Sequence, residues 1–337
     1  MIDRFDRDGP FSLELGTDKD DAVKEMITLS GGLYLFSTKK IFRINTADDI
    51  DPERTAHDTR HSYQEIYPVG CGNSFVARSI IQAKRILDNL ILEPGLSKSN
   101  LLEAMWEATQ QLLRCENAYF QIFDETMSLM AECDKLIERS KANTSIPSLP
   151  QVGELEERVG SFLGSAKRYL EKTHSLLSIF YGCPDFGTNF RSYRDWMKAH
   201  RVDSEQVLDL LDQDKDWIRF IAEARNALPI NHARQCFLLE VQNFKLEPGN
   251  KFSSPSWRHD LSDRGGPVQT YWSDIVKDMD THMHNLLTFL EEIFLLSARD
   301  RCNQTLAFKF EVYKKSTEQI SEDCPVLYFA RAERRES

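Results

Sequence analysis

Residues 100–140 read NLLEAMWEATQQLLRCENAYFQIFDETMSLMAECDKLIERS, and this stretch decides the reading of the chain. Apolar side chains recur at Leu101, Met105, Ala108, Leu112, Cys115, Tyr119, Ile122, Leu129, Cys133 and Ile137. That three-four spacing draws one stripe along an α-helix. Forty residues of helix reach about 60 Å. An apolar stripe of that kind has to be buried against other elements.

Helical spacing continues outward from it. Residues 143–153, with two prolines and several hydroxyl side chains, read as a linker or turn. Leu155, Val159, Phe162, Leu163, Ala166, Leu170, Leu177 and Phe180 then mark a second long helix. Short helices are expected at about 189–200 and 204–212, the second capped by Asp203 or Ser204. Trp217, Ile218, Ile221, Ala224 and Leu228 mark another, and a last long helix is expected from about Val268 to Arg299, with Trp272, Ile275, Met279, Met283, Leu286, Leu290 and Ile293 on one side. Between these, 243–267 reads as one long irregular loop carrying Pro248-Gly249, Pro255 and Gly265-Gly266-Pro267.

The ends have β character. Leu33–Phe36 and Ile41–Ile44 flank the polar turn Ser37–Lys40 as a hairpin. Asp48–Arg54 is an acidic loop, and a helix from about Ser74 to Leu92 stops at Pro94-Gly95. The tail returns to strands at 305–313 and 325–332, expected to pair with the N-terminal hairpin, since a lone hairpin is marginal. The fold class is therefore mainly α: an antiparallel helical bundle with a small β-containing module formed by the N- and C-terminal segments. The expected domains are 1–95, a small α+β module; 96–302, the bundle; and 303–337, a β-hairpin packing on the N-terminal module.

Composition narrows the function. The net charge of −11 over 337 residues argues against a general nucleic-acid coat, while leaving room for a local basic site. Seven cysteines stand at 71, 115, 133, 183, 236, 302 and 324, an odd number with no Cys-x-x-Cys spacing. A disulfide framework and a structural zinc site are not expected, and a reducing, cytoplasmic compartment is. The charged N-terminus does not read as a secretory signal. The most apolar run, Leu286–Leu296, is broken by Glu291 and Glu292 and is too short to span a bilayer.

The functional signal is Arg225-Asn226-Ala227-Leu228-Pro229-Ile230-Asn231-His232. At 100° per residue, Arg225 points within about 40° of the centre of its helix's apolar stripe, where a charge needs a partner or a cleft. Pro229 leaves two placements for His232 open. If the helix bends and continues, His232 shares Arg225's face, with backbones about 10.5 Å apart; if it stops, His232 lies in the following loop.

This segment resembles the Arg-x(4–6)-His motif of the HEPN superfamily of small helical-bundle domains, with a polar residue directly after the arginine and six residues between Arg225 and His232. The resemblance covers roughly 100–300 by architecture and rests in sequence on this octapeptide; Pro229 departs from the motif's cleaner forms. It implies a metal-independent endoribonuclease of the toxin or defence type. Arg225 would hold a phosphate, His232 would move a proton, and Asn226 would work beside them. It also implies a homodimer through the bundle with two motifs facing each other, RNA or a nucleotide as ligand, and an antitoxin protein as a further partner. In the alternative, the same pocket binds a nucleotide without turnover or only supports dimerisation or a scaffold.

Lys251, Trp257, Arg258 and His259, in the 243–267 stretch, are the candidate substrate contacts: tryptophan to stack on a base, cations to meet phosphate. No cofactor or metal is expected. Glu171 and His174 have the spacing used in di-iron bundles, but no second such pair exists. His282 and His284 lie two apart and point to different helix faces. His57-Asp58 and His259-Asp260 are bare dipeptides, and Asp48, Asp49 and Asp51 suit a helix N-terminus as well as a cation.

Overall fold

The computed structural model describes residues 21–140, 145, 148–200, 202, 204–227, 239–261, 269–303 and 308–334. The chain is mainly helical and divides into two compact units, one made of 1–106 with 298–337 and the other of 107–297.

The first unit begins with an antiparallel meander of β1 (Val23–Leu29), β2 (Gly32–Ser37), β3 (Ile41–Asn45) and β4 (Ser62–Tyr67). The expected hairpin is β2–β3, registered from Leu33↔Ile44 to Phe36↔Ile41. Leu35, Phe42 and Ile44 form a small buried cluster on it. The expected acidic loop instead opens with a short helix, α1 (Ala47–Ile50), started by a reciprocal capping box between Thr46 and Asp49. Asp48 is paired with Arg54, and Asp51 accepts from Thr55 and Ala56, so these carboxylates are engaged in local structure.

The helix expected near Ser74 forms as α2 (Ser74–Val76), a π-turn (Ala77–Ile81) and α3 (Gln82–Asn89), with Asn73 as N-cap. A π-turn holds one more residue than an α-turn and leaves no periodic signature in sequence. Next comes α4 (Lys98–Ser140), the long helix of the opening stretch. In the first unit its Trp106 is buried against Tyr34, Phe36 and Tyr67, with ring centres 5.3, 5.6 and 6.0 Å away.

The second unit takes the remainder of α4, then α5 (Leu155–Tyr181), α6 (Phe190–Ala199), α7 (Glu205–Gln213) and α8 (Lys215–Ala227). Its core is built from the stripes read in sequence: Leu112, Cys115 and Ile122 of α4; Val159, Phe162, Leu163, Ala166, Leu170 and Leu177 of α5; Ile218, Ile221 and Ala224 of α8. Burying side chains of this size contributes roughly 1.5–3 kcal/mol each before the entropy of ordering is charged against it.

The expected loop at 243–267 is corrected: most of its described part is strand. β5 (Leu239–Gln242), β8 (Ser256–Leu261) and β9 (Gln269–Asp274) form a three-stranded antiparallel sheet in the order β5-β8-β9. β6 (Lys245–Glu247) and β7 (Lys251–Ser253) form a separate ribbon closed by Pro248, Gly249 and Asn250, the last two at positive φ. The last long helix, α9 (Ile275–Asp300), accordingly starts at Ile275 rather than Val268. Its first turn is capped by the Asp274 carboxylate accepting from the Lys277 N–H. Met279, Met283, Leu286, Leu290 and Ile293 of α9 are buried as the spacing predicts. Trp272, counted with them in sequence, lies on β9 and is exposed.

The tail returns to the first unit as β10 (Phe308–Lys314) and β11 (Tyr328–Arg334). They pair with each other from Phe308↔Arg334 to Lys314↔Tyr328, not with the N-terminal hairpin. The tail is anchored by a side chain instead: the Gln82 carbonyl oxygen accepts the backbone N–H of both Leu327 and Tyr328 at 2.8 Å. Among the described residues no helix is long and apolar enough to cross a membrane.

Candidate functional site

α8 is described as far as Ala227, and Arg225 and Asn226 stand in its last described turn. His232 lies outside the described residues, as does Pro229. Ile218, Ile221 and Ala224 bury one side of α8, which leaves Arg225 half-buried at the margin of the stripe and Asn226 exposed. That margin lies against α5. A Cβ added to Gly164 would stand 3.3 Å from Nε of Arg225, so the missing side chain is what lets the guanidinium lie close to the helix.

One turn further along α5, Nζ of Lys167 donates to Oδ1 of Asn226 at 3.3 Å. Arg168, beside it, donates to Oε1 of Gln111 on α4 at 3.3 Å, and Arg114 of α4 donates to the same oxygen at 3.4 Å. Residues 164–168 of α5 therefore receive Arg225 from α8 and adjoin the Gln111–Arg114 turn of α4. Arg114, Lys167, Arg168 and Arg225 thus stand along the same stretch of α5 in a chain of net charge −11. Such a cluster suits an anion, above all a phosphate that a guanidinium can grip by two N–H groups.

The proposed substrate contacts do not form one patch. Lys251 is exposed on the β6–β7 ribbon. Arg258 lies on β8, half-buried, with Nη1 3.7 Å from the Glu240 carboxylate. His259 is on β8, but its side chain lies outside the described set. Trp257 is the clear correction: it is fully buried, and its indole N–H donates to Ser273 at 3.0 Å and to the Asp278 carboxylate at 2.6 Å. Its ring packs on Phe220 of α8 and near His282 of α9. Alternation along a strand puts neighbours on opposite faces, so a tryptophan that reads as a stacking platform in a loop becomes a core anchor in a strand.

The other histidines of the second unit have structural settings. His174 on α5 is fully buried between Phe190 and Tyr193, with ring centres 4.0 and 4.7 Å away. Its Nδ1 donates to the Gly187 carbonyl, and burial pushes its pKa down to about 4. His282 stacks on Phe220, and the exposed His284 follows its own helix back to the Asp280 carbonyl. Among the described residues no three His, Cys, Asp or Glu side chains converge as a ligand set for a metal ion.

Gly164, Lys167, Arg168, Gln111 and Arg114 were not read as site residues. The Lys167-Arg168 pair and a glycine inside a strongly helical stretch were visible, but nothing local says which helix packs beside Arg225. Comparison with protein-family models, with curated proteins and with solved structures finds no match for the chain.

Proposed function

We propose that the second unit is a HEPN-like bundle and that the chain is a metal-independent endoribonuclease cutting RNA by attack of a 2′-hydroxyl on its own 3′ phosphate. The observation that supports this is the gathering of Arg114, Lys167, Arg168 and Arg225 around 164–168 of α5 in an otherwise acidic chain. Arg225 forks onto two phosphate oxygens and stabilises the negative charge that builds on them in the transition state. Lys167, held by Asn226, adds a second cation. His232 takes the 2′-hydroxyl proton and supplies one to the departing 5′ oxygen, a task matched to a group that titrates near neutrality. Two chains bring paired motifs to one RNA in a homodimer.

The test is cleavage of single-stranded RNA in EDTA. Products ending in a 2′,3′-cyclic phosphate are expected, together with loss of cleavage in Arg225→Ala and His232→Ala and resistance of an RNA with a 2′-deoxy sugar at the cut. Undiminished cleavage in both variants rejects these residues. Elution as a monomer at micromolar concentration rejects the dimer.

One observation favours a second reading. The described members of the cluster are three arginines and a lysine, side chains suited to gripping phosphate, so a site that holds a nucleotide phosphate without turnover needs nothing beyond them. It predicts thermal stabilisation by a nucleotide, lost in Arg225→Ala, with RNA left intact.

A further inference from the structure

Cys71 and Cys324, in the first unit, are brought together from opposite ends of the sequence. The turn holding Cys71 is pressed onto the end of β2: the Cys71 N–H donates to the Ser37 carbonyl at 2.7 Å and the Gly72 N–H to the Thr38 carbonyl at 2.8 Å. Gly70 permits the approach, since a Cβ there would stand 2.3 Å from the Ser37 oxygen. Cys324 sits in a tight turn of the tail, its N–H donating to the Ser321 carbonyl at 3.2 Å and its carbonyl accepting from Val326 at 2.8 Å. The two turns touch. A Cβ on Gly72 would lie 4.0 Å from the Asp323 carbonyl, and Lys24 of β1 reaches the Asp323 carboxylate at 3.2 Å.

The thiols themselves are in contact, Cys71 donating its S–H to the Cys324 sulfur. Both residues are buried, Cys71 fully and Cys324 to 6% exposure. The charged groups facing the pair are Lys24 and Glu25 of β1, Arg85 of α3 and Lys315 beyond β10; Glu25 is paired with Arg85 at 3.4 Å. The Cys71 hydrogen bond and the three cations hold the Cys324 thiol below its ordinary range. That hydrogen bond and burial push Cys71 well above it. One sulfur is thus prepared as a nucleophile and the other keeps its proton.

We propose that Cys71 and Cys324 form a peroxide-responsive thiol pair, in which Cys324 attacks, Cys71 resolves, and the disulfide ties the C-terminal hairpin to the N-terminal meander. The Cys324 thiolate attacks one oxygen of hydrogen peroxide; the O–O bond breaks, hydroxide leaves and is protonated to water, and Cys324 becomes a sulfenic acid. The Cys71 sulfur then attacks the Cys324 sulfur; the S–O bond breaks, the S–S bond forms, and the oxygen departs with the Cys71 proton as a second water. The two sulfurs lose two electrons and the peroxide gains them. A dithiol reverses the bond by exchange.

The experiment treats the reduced full-length chain with graded hydrogen peroxide, blocks remaining thiols with iodoacetamide in denaturant, and maps the digested peptides by mass. The linked peptide containing Cys71 and Cys324 is expected first, at peroxide levels that leave Cys115, Cys133, Cys183, Cys236 and Cys302 alkylated, and it should vanish with dithiothreitol. In Cys71→Ser, dimedone should trap a sulfenic acid at Cys324; in Cys324→Ser, Cys71 should remain a free thiol. Recovery of both wild-type cysteines as alkylated thiols while the other five oxidise overturns the proposal. So does a dimedone adduct on Cys71 in Cys324→Ser. The wild-type map decides even if a variant fails to fold.

Discussion

Two stretches of α5 carry polar side chains, and the fold treats them in opposite ways. At Thr173–His174 both side chains are sealed: the threonine hydroxyl donates back to the Tyr169 carbonyl, and the imidazole is roofed by Phe190 and Tyr193. Two turns earlier, Lys167 and Arg168 stay at the margin of the core, near where Arg225 lies half-buried against Gly164 and Asn226 is exposed. The contrast shows what burial does to a titratable group. A sealed histidine is held in its neutral form, whereas a guanidinium at a seam sits where water still reaches part of it.

The largest expected effect tests the open stretch. Arg225→Ala should lower RNA cleavage by about 100- to 1,000-fold, while urea unfolding changes by less than about 1 kcal/mol. A loss of stability above about 2 kcal/mol would instead mark Arg225 as a sealed structural residue like His174.

The sealed stretch has its own signature in acid. His174 titrates near 4 in the folded chain against 6.5 for an ordinary histidine, so folding favours its neutral form. Its contribution is fully present above pH 6.5 and is lost as pH falls toward 4, a loss on the order of 3 kcal/mol. Urea midpoints at pH 7.5 and 4.5 should differ by more in the wild type than in His174→Gln. Equal differences would mean that water reaches the imidazole.

Smaller effects separate the members of the cluster. Lys167→Ala and Arg168→Ala should each flatten the dependence of log affinity on log salt by about 0.7, the value for one phosphate contact on a single strand. Fluorescence anisotropy of labelled RNA at several salt concentrations reads this, and an unchanged slope removes that residue from the site. Gly164→Ala is the finest probe. Alanine should raise helix stability by roughly 0.5–1 kcal/mol, while its Cβ, 3.3 Å from Nε of Arg225, nudges the guanidinium aside. Stability up and cleavage down in one variant would show that the glycine serves the arginine rather than the helix.

What was legible follows the length of the pattern. The stripes of α4 and α5 repeat over many turns, so the helices could be read directly, and the short α6 and α7 lay within a residue or two of their expected places. β5 to β9 were not legible, because strands of three to six residues hold too few alternations to register. Pro248-Gly249, read as loop punctuation, proved to be the turn of the β6–β7 ribbon. Trp257 and Trp272 then exchanged expected roles, the first sealed in the core and the second exposed. The tail strands were visible as a hairpin of their own; the further pairing expected with the N-terminal hairpin was not found. Pairing β10 with β11 closes a short loop, which costs less chain entropy than joining a sheet almost three hundred residues away. Arg225 stood out because it breaks a helical pattern; the cations of α4 and α5 around it break none, and only tertiary packing collects them.

The π-turn at Ala77–Ile81 has a consequence for tolerance to insertion and deletion. An extra residue in a regular helix swings everything after it by about 100°, and a π-turn is what absorbs one without that swing. Deleting one residue there should therefore restore ordinary winding and leave Gln82 facing Leu327 and Tyr328, whereas inserting another would turn it away and both amides would lose their acceptor. The helix tolerates loss at this point but not gain, because a tail that begins more than two hundred positions downstream holds its phase.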